Sequence, residues 1–210
     1  MKKTNLILFF AGALAFAALA ILTVADHTGA FNVALASQIQ SLQNPALTAF
    51  MKFISNVGDW PVYVPAAILL LILPKIRVKT GIPAALALAI SFGLNRLLKL
   101  LFRVPRPDIL PLIQETGYGF PSGHAMTGAA FVLTAAVLLT RCSKKPTKIW
   151  TISAAASFVL LVGFSRIYLG VHSVADVLAG YAAGLCICTA GITVFSQSYS
   201  VRRPLAERRG

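Results

Sequence analysis

The sequence predicts an all-α, polytopic membrane protein: a bundle of six transmembrane helices that forms a single domain over residues 1–210. Of the 210 residues, 57% are hydrophobic and only 12% are charged, and the mean hydropathy is +0.78. Because a soluble domain carries roughly a quarter charged residues, this chain lacks the polar surface that water requires. Six spans of about 20 residues each fit within the length of the chain.

Six apolar runs, taken in chain order, account for the six predicted helices. The first, residues 5–24, follows two lysines like a secretory signal peptide, but it is longer than such peptides, so we expect an uncleaved signal anchor. The second, residues 60–73, is short for a span, and its helix is expected to begin further back, near Pro45. An interfacial segment is predicted at residues 33–58. The other runs cover residues 82–102, 123–140, 149–164 and 174–195.

The lysines and arginines predict the orientation of these helices. Thirteen of the 19 lie in four stretches between or beyond the apolar runs: Lys2 and Lys3; Lys75, Arg77 and Lys79; Arg141, Lys144, Lys145 and Lys148; Arg202, Arg203, Arg208 and Arg209. Cytoplasmic loops are enriched in Lys and Arg, so both termini are expected in the cytoplasm. The acidic residues expected on the outer side are Asp26, Asp59, Asp108, Glu115 and Asp176. The net charge of +13 is therefore an orientation signal, and no nucleic-acid partner is expected.

A first cluster of cations lies at the predicted outer end of the third run. Lys99 and Arg103 are four residues apart and so share one helix face, and Pro105 and Pro107 then end the helix and carry Arg106 into a loop. Charges at membrane depth usually face a cavity or a partner. Cations that snorkel to the membrane interface would give the same pattern.

Two histidine clusters follow at the same predicted face. The segment from Pro121 to His124 precedes the fourth run, where the N–H groups of a helix start can bind an anion, although a serine N-cap beside an interfacial histidine would look alike. Arg166 ends the fifth run, and His172 and Asp176 are spaced i,i+4 at the start of the sixth. The carboxylate can therefore orient one ring nitrogen and leave the other free to attack. A purely structural His–Asp pair is the alternative.

Together these residues resemble the signature of the type 2 phosphatidic acid phosphatase superfamily, K-x6-R-P, P-S-G-H and S-R-x5-H-x3-D. The chain carries all three motifs in order and without a departure: Lys99-x6-Arg106-Pro107, Pro121-Ser122-Gly123-His124 and Ser165-Arg166-x5-His172-x3-Asp176. The matching residues span positions 99–176, and the six-helix plan extends the resemblance to the whole chain.

The resemblance implies a division of roles. His172 would attack phosphorus and form a phosphohistidine, Asp176 would orient His172, and His124 would protonate the leaving oxygen and later activate water. The phosphate-binding residues would be Lys99, Arg106, Ser122, Gly123 and Arg166. Arg103 lies outside the motif and is a candidate contact for a second phosphate. Because guanidinium and ammonium groups can neutralise a phosphoryl group, and no carboxylate cluster suits Mg²⁺, neither a metal nor another cofactor is expected.

The function implied is that of a lipid phosphatase in a bacterial inner membrane, with its active site at the outer, periplasmic face and a membrane lipid as substrate. The short chain is similar to the undecaprenyl diphosphate phosphatases and phosphatidylglycerophosphate phosphatases of the superfamily. Undecaprenyl diphosphate is the expected substrate, with phosphatidylglycerophosphate and phosphatidic acid as alternatives. A lipid phosphotransferase and a non-catalytic lipid-binding or transport protein also stay open. The vanadium haloperoxidases of the superfamily resemble longer, soluble chains. The sequence makes no prediction of oligomeric state.

Overall fold

The computed structural model describes residues 3–26, 28–107 and 111–200, the last five of these as helical backbone. Every regular element in these ranges is helical, which confirms the predicted all-α class. The helices are α1 (Lys3–Val24), α2 (Gly29–Gln40), α3 (Pro45–Val57), α4 (Trp60–Ile72), α5 (Pro74–Ile76), α6 (Ile82–Phe102), α7 (Gly123–Leu139), α8 (Lys145–Tyr168) and α9 (Val174–Ser200), with a π-helical turn, Arg77–Gly81, between α5 and α6. Lys2, Asp108 and the four arginines of the C-terminal basic stretch lie outside the described residues.

The described residues contain four helical segments that are long and apolar enough to cross a membrane: α1, α5 continued through α6, α8, and α9 as far as Phe195. Helices α3 and α4 together form a fifth, bent by 41° where they meet, and α7 is a shorter apolar helix. The multi-pass membrane architecture is therefore confirmed. Six crossings result if α7 also spans, and that number stays a prediction.

The second and fifth predicted helices differ from the observed ones in where they begin or end. The second run was expected to begin near Pro45, and a helix does begin there, but it ends at Val57 and a new helix starts at Trp60. Helix α8 begins at Lys145, before the predicted start at 149, because Pro146 fits the first turn of a helix and extends it into the basic stretch. The starts of α6, α7 and α9 agree with the sequence prediction.

Helices α7 and α9 make the most extensive contact among the described helices. A Cβ atom added to Gly180 would lie 2.6 Å from the carbonyl oxygen of Ser122, and one added to Gly184 would lie 2.4 Å from that of Met126. Both distances are far below van der Waals contact, so only glycine lets the two backbones approach this closely. The spacing Gly180-x3-Gly184 thus serves packing within the chain, and it brings the start of α9 beside the start of α7.

Helix α1 packs along α9, where Asn5 donates a hydrogen bond to the Thr193 hydroxyl at 3.1 Å. At its other end, Phe16 contacts the rings of Phe102 and Phe120 with centroids 6.2 and 5.9 Å away. The ring of Phe120 is fully buried and meets that of Phe102 edge to face. This aromatic cluster anchors the segment that precedes α7, which carries the second motif.

Candidate active site

The three motifs meet at one end of the bundle. The backbone N–H of Ser122, in the second motif, donates to the carbonyl oxygen of Asp176 in the third, at 2.9 Å. At Gly119, a Cβ atom would lie 2.9 Å from the carbonyl oxygen of Pro105 and 3.4 Å from Asp176 Oδ2. The loop after α6, the start of α7 and the start of α9 therefore converge, and the predicted orientation of the helices also brings the three motifs to one face.

His172 and Asp176 form a buried pair at the start of α9. The side chains of both are 3% exposed, and His172 Nδ1 lies 3.4 Å from Asp176 Oδ2. This contact is long and not aligned as a hydrogen bond, as is common for catalytic contacts before substrate binds. Asp176 itself is firmly held, because Oδ2 accepts from the Ser173 N–H at 2.8 Å and the Ser173 hydroxyl accepts from the Asp176 N–H at 3.1 Å. These reciprocal bonds form a capping box that starts α9.

The protonation of His172 follows from its burial. Removal from water lowers the pKa of His172 to about 4, although Asp176 opposes the shift, and the cations Arg166 and Lys99 add to it. The ring is therefore neutral at neutral pH. Arg106 Nη1 approaches Nε2 at 3.4 Å, and a guanidinium can only donate, so Nε2 is the nitrogen with a lone pair and Nδ1 carries the proton toward Asp176.

Two arginines of the motifs converge on one carboxylate. Glu115, in the loop between α6 and α7, forms an ion pair with Nη2 of Arg166, and its other oxygen lies 3.6 Å from Nη2 of Arg106. Burial would raise the pKa of Glu115, but the arginines, Arg166 foremost, outweigh it and lower the pKa below its ordinary value. An anion thus already lies between the guanidinium groups that are predicted to bind phosphate.

The guanidinium groups are held in place by neighbouring groups. Arg106 donates to the carbonyl oxygens of Val171 at 2.8 Å, Thr116 at 3.0 Å and Gly117 at 3.1 Å. Arg166, which is 2% exposed in the last turn of α8, donates from Nη1 to the Ser55 hydroxyl at 2.5 Å. Two cations with preset geometry can bind oxyanions without reorganising as charge develops.

Lys99 and Asn95 fix the segments around the second motif from helix α6. The Lys99 ammonium donates to the carbonyl oxygen of Tyr118. The amide of Asn95 donates to the carbonyl oxygen of Pro121 at 3.1 Å, and its oxygen would meet a Cβ atom on Gly123 at 3.1 Å. The start of α7 is therefore held close to the cations.

Three buried polar atoms in the motifs lack a protein hydrogen-bond partner: Ser122 Oγ, Arg166 Nε and His172 Nδ1. Buried polar groups in folded proteins are nearly always paired, so a cluster of unpaired ones needs an explanation. All three belong to residues predicted to bind or attack phosphate. A bound phosphoryl group would supply the acceptor oxygens that Ser122 and Arg166 lack.

His124 is the second residue of α7. Its side chain is 12% exposed, and Nε2 is 3.6 Å from Oδ1 of Asp59, the residue that precedes α4. Asp59 was predicted only as an outer acidic residue, so this pairing is new information from the structure.

A cavity of about 700 Å³ connects the site to an apolar groove. Its polar end is lined by Lys99, Arg106, Glu115 and His124. Its apolar end lies between α4 and α6 and is lined by Val64, Ala67, Ile68, Leu71, Ala85, Leu88, Ala89 and Phe92. The arrangement can accommodate a molecule with an anionic head and a hydrocarbon chain.

Arg103 does not line the cavity that contains Lys99 and His124. It follows the last residue of α6 in a left-handed conformation with φ 51°, so it does not share a helix face with Lys99 as the four-residue spacing predicted. Pro105, two residues later, disfavours continuation of the helix. Arg103 lines a second cavity of about 550 Å³ together with Asp26 and Arg106. Its role as a contact for a second phosphate stays a prediction.

Sequence reasoning missed three side chains at the site. Asp59 has the signal of a helix N-cap, an aspartate followed by Trp60 and Pro61, but nothing in that signal indicates His124 as its partner. Asn95 and Glu115 have no local signal at all, because their partners lie on other segments. Within the described residues, no group of three or more His, Cys, Asp or Glu side chains is arranged to hold a metal ion.

A multi-pass helical membrane protein whose buried, neutral histidine faces a cluster of fixed cations belongs, by fold and site, to the membrane-embedded phosphoryl-transfer enzymes. The chain is a member of the PAP2 superfamily, whose family model matches residues 80–200. This match confirms the family indicated by the three motifs and the predicted class of enzyme, a phosphatase.

Individual relatives support the same assignment. The chain is 32% identical to phosphatidylglycerophosphatase B of Bacillus subtilis over 89% of its own length and 91% of the relative's. It is 33% identical to the undecaprenyl-diphosphatase of Sulfolobus acidocaldarius over 79% of each chain. A crystal structure of a transmembrane PAP2 type phosphatidylglycerolphosphate phosphatase from Bacillus subtilis superposes with a TM-score of 0.83 and 26% identity, covering 94% of this chain and 98% of the other.

Proposed function

We propose that this protein hydrolyses the terminal phosphate of a membrane lipid, without a metal ion, through a phosphohistidine on His172. The observation that carries the proposal is a cluster around Arg106. Its guanidinium lies 3.4 Å from the neutral, carboxylate-oriented His172, shares Glu115 with Arg166, and lines the cavity that also contains a second histidine, His124. Phosphoryl transfer needs positioning and charge neutralisation above all, and these residues can supply both.

In the first step, the lone pair of His172 Nε2 forms a bond to phosphorus while the bond from phosphorus to the lipid oxygen breaks. The leaving oxygen takes a proton from protonated His124. Asp176 faces the Nδ1–H of His172 and stabilises the positive charge that develops on the ring. Glu115 leaves the two arginines as the phosphoryl oxygens replace its carboxylate.

In the second step, water attacks the phosphohistidine. Neutral His124 accepts a proton from the water, the bond between phosphorus and Nε2 breaks, and inorganic phosphate is released. His172 returns to its neutral form and His124 to its protonated form, so the cycle closes without a further reactant.

The first candidate substrate is undecaprenyl diphosphate, with undecaprenyl phosphate as product. The apolar groove between α4 and α6 supports a substrate whose hydrocarbon chain stays in the membrane. Phosphatidylglycerophosphate is the second candidate, and the relative named for that lipid, which matches along 91% of its length, favours it. We place the site at the periplasmic face of the inner membrane with both termini cytoplasmic, on the distribution of Lys and Arg.

The decisive experiment measures phosphate release by purified protein from undecaprenyl diphosphate, phosphatidylglycerophosphate and phosphatidic acid, with and without EDTA. Wild type is expected to hydrolyse at least one of them at a rate that EDTA leaves unchanged. His172→Ala is expected to lose at least about a thousandfold in kcat. Strong inhibition by EDTA would overturn the metal-free mechanism, and substantial activity in His172→Ala would overturn the nucleophile.

Labelling separates the roles of the two histidines. With a ³²P-labelled substrate that has a good leaving group, His124→Ala is expected to accumulate labelled protein, because the base that activates water is gone. His172→Ala is expected to take up no label. A phosphorylated acceptor among the products of the wild type would instead indicate a phosphotransferase.

A further inference from the structure

We infer that Asp59 is the positioning residue of His124: its carboxylate stabilises the protonated form of the imidazole and turns one N–H toward the leaving oxygen. The inference rests on the proposed function, in which His124 is the proton donor. None of the three signature motifs contains Asp59.

The backbone around Asp59 is built to place this side chain. Helices α3 and α4 form one apolar unit that is broken and bent by 41° at Gly58 and Asp59. A break in an apolar helix leaves backbone polar groups unpaired and is tolerated in a membrane protein where it borders a cavity. Here Gly58 and Asp59 both line the cavity that contains His124.

The break is rigid on both sides. A Cβ atom on Gly58 would lie 2.4 Å from a methyl carbon of Val162, so α8 presses directly on this turn and only glycine fits. Asp59 has an extended backbone, with φ −114° and ψ 169°, and its Oδ1 accepts from the Trp60 N–H at 2.8 Å. The carboxylate is therefore fixed as the N-cap of α4, with the same oxygen 3.6 Å from His124 Nε2.

The charges around His124 show why a carboxylate is needed there. The His124 side chain is only 12% exposed and shares its cavity with the cations Lys99 and Arg106, and both burial and like charges disfavour a proton on the ring. Among the described residues, Asp59 is the carboxylate within ion-pairing distance of the His124 ring, while Glu115 pairs with the arginines. The negative charge of Asp59 opposes these effects and so favours the protonated form of His124 that the leaving oxygen requires.

The geometry also assigns the two ring nitrogens. A protonated imidazole carries an N–H at each nitrogen, and with Nε2–H facing Asp59, Nδ1–H remains for the leaving oxygen. After Nδ1 gives up its proton, the neutral ring keeps the tautomer with Nε2–H toward Asp59, and Nδ1 is then free to accept a proton from water. Asp59 would thus orient His124, the proposed acid, in the way that Asp176 is proposed to orient His172, the nucleophile.

Asp59→Asn and Asp59→Ala distinguish this role from simple helix capping. Asparagine caps a helix as well as aspartate but has no charge, whereas alanine removes both cap and charge. A positioning role predicts that both variants lose activity together. A capping role predicts that Asn behaves like wild type and that Ala alone is impaired.

The substrates for the test are decyl phosphate, which leaves as a basic alkoxide, and a decyl-substituted nitrophenyl phosphate, whose phenolate leaves without a proton. For Asp59→Asn, kcat/KM on decyl phosphate is expected to fall roughly 10- to 100-fold, within the range of lost general acid catalysis, and on the aryl ester to stay within about threefold of wild type. The high-pH limb of kcat/KM on decyl phosphate is expected to move to lower pH in the same variant.

Asp26→Asn is the matched control, because Asp26 lines the second cavity and its replacement also removes one negative charge. It is expected to match wild type on both esters. Equal losses on both esters in Asp59→Asn, or no loss on decyl phosphate, would overturn the inference. A wild-type protein that hydrolyses neither ester nor any of the three lipids would instead overturn the proposed function itself.

Discussion

The two histidines of the site are each paired with a carboxylate, but the pairs are built in different ways. His172 and Asp176 lie four residues apart at one helix start, are both 3% exposed, and are held by the capping box with Ser173. His124 and Asp59 come from α7 and from the break before α4, and the side chain of Asp59 is 38% exposed. The His172–Asp176 pair is local in sequence and buried. The His124–Asp59 pair joins two distant segments and is open to the cavity.

This difference matches the two proposed roles, His172 as nucleophile and His124 as proton donor and acceptor. A nucleophile must stay neutral and aligned, and burial achieves both by lowering the pKa of His172 to about 4 while Asp176 fixes the tautomer. A proton donor and acceptor must change protonation twice in each cycle, so contact with a polar cavity suits it better. We infer that the exposure of the partner carboxylate, 3% for Asp176 and 38% for Asp59, separates the proposed roles of the two histidines.

The largest effect is expected from Asp176→Asn. Asparagine can still accept the Ser173 N–H and cap α9, but it cannot stabilise the charge that develops on His172. By analogy with loss of the carboxylate from a catalytic triad, kcat should fall by about 10³- to 10⁴-fold. Thermal unfolding followed by circular dichroism should stay close to wild type. Activity near wild type would mean that the buried pair is structural, and the two pairs would then not differ in catalytic role as proposed.

The pH dependence of kcat/KM tests the buried pair of His172 and Asp176. The folded pKa of His172, about 4, lies below the ordinary value of about 6.5, so the neutral nucleophile persists as the pH falls until about 4. Below that point kcat/KM should fall about tenfold per pH unit. The same shift makes the contribution of His172 to stability complete above pH 6.5 and progressively lost from there toward pH 4. An acid limb near pH 6.5 would show that His172 is solvated, like an exposed imidazole.

The His172–Asp176 pair can be predicted from the sequence and the His124–Asp59 pair cannot, for a physical reason. Spacing within one helix fixes which side chains share a face, so His172 and Asp176 are predictable from the i,i+4 rule. The contact between His124 and Asp59 depends on the bend at Gly58 and on how α8 packs there, which no local pattern encodes. The same limit explains why Glu115 was missed and why Arg103 was placed on the wrong face: the helix ends at Phe102, one residue before it.

Glu115→Gln tests whether the carboxylate between the arginines competes with substrate. Glu115 is charged at neutral pH, and the arginines lower its pKa further, so wild type must displace an anion to bind one. The side chain is 30% exposed, and a partly exposed ion pair contributes at most about 1 kcal/mol, which corresponds to roughly a two- to fivefold change in affinity. Inhibition by orthovanadate should therefore be about two- to fivefold tighter in the variant. Weaker inhibition would show that Glu115 supports the phosphate site instead.

Gly184→Ala tests whether the contact between α7 and α9 sets the spacing of the two pairs, since α7 carries His124 and α9 carries Asp176. The new methyl group would lie 2.4 Å from the Met126 carbonyl oxygen and 2.7 Å from Ala129 Cβ, so the helices must separate. We expect a loss of about 1–3 kcal/mol in the free energy of unfolding, measured by thermal denaturation in detergent. Gly191→Ala is the control on the same helix: no atom lies within 4 Å of its added Cβ, and alanine favours the helix, so its stability should equal or exceed that of wild type. Because the separation of the helices is greatest at Gly184, more than a helical turn beyond Gly180, the start of α9 should move little and kcat should fall only severalfold.

A loss of activity as large as that of Asp176→Asn, at unchanged stability, would contradict this expectation. It would mean that the spacing between the pairs, rather than the burial of His172, limits the reaction.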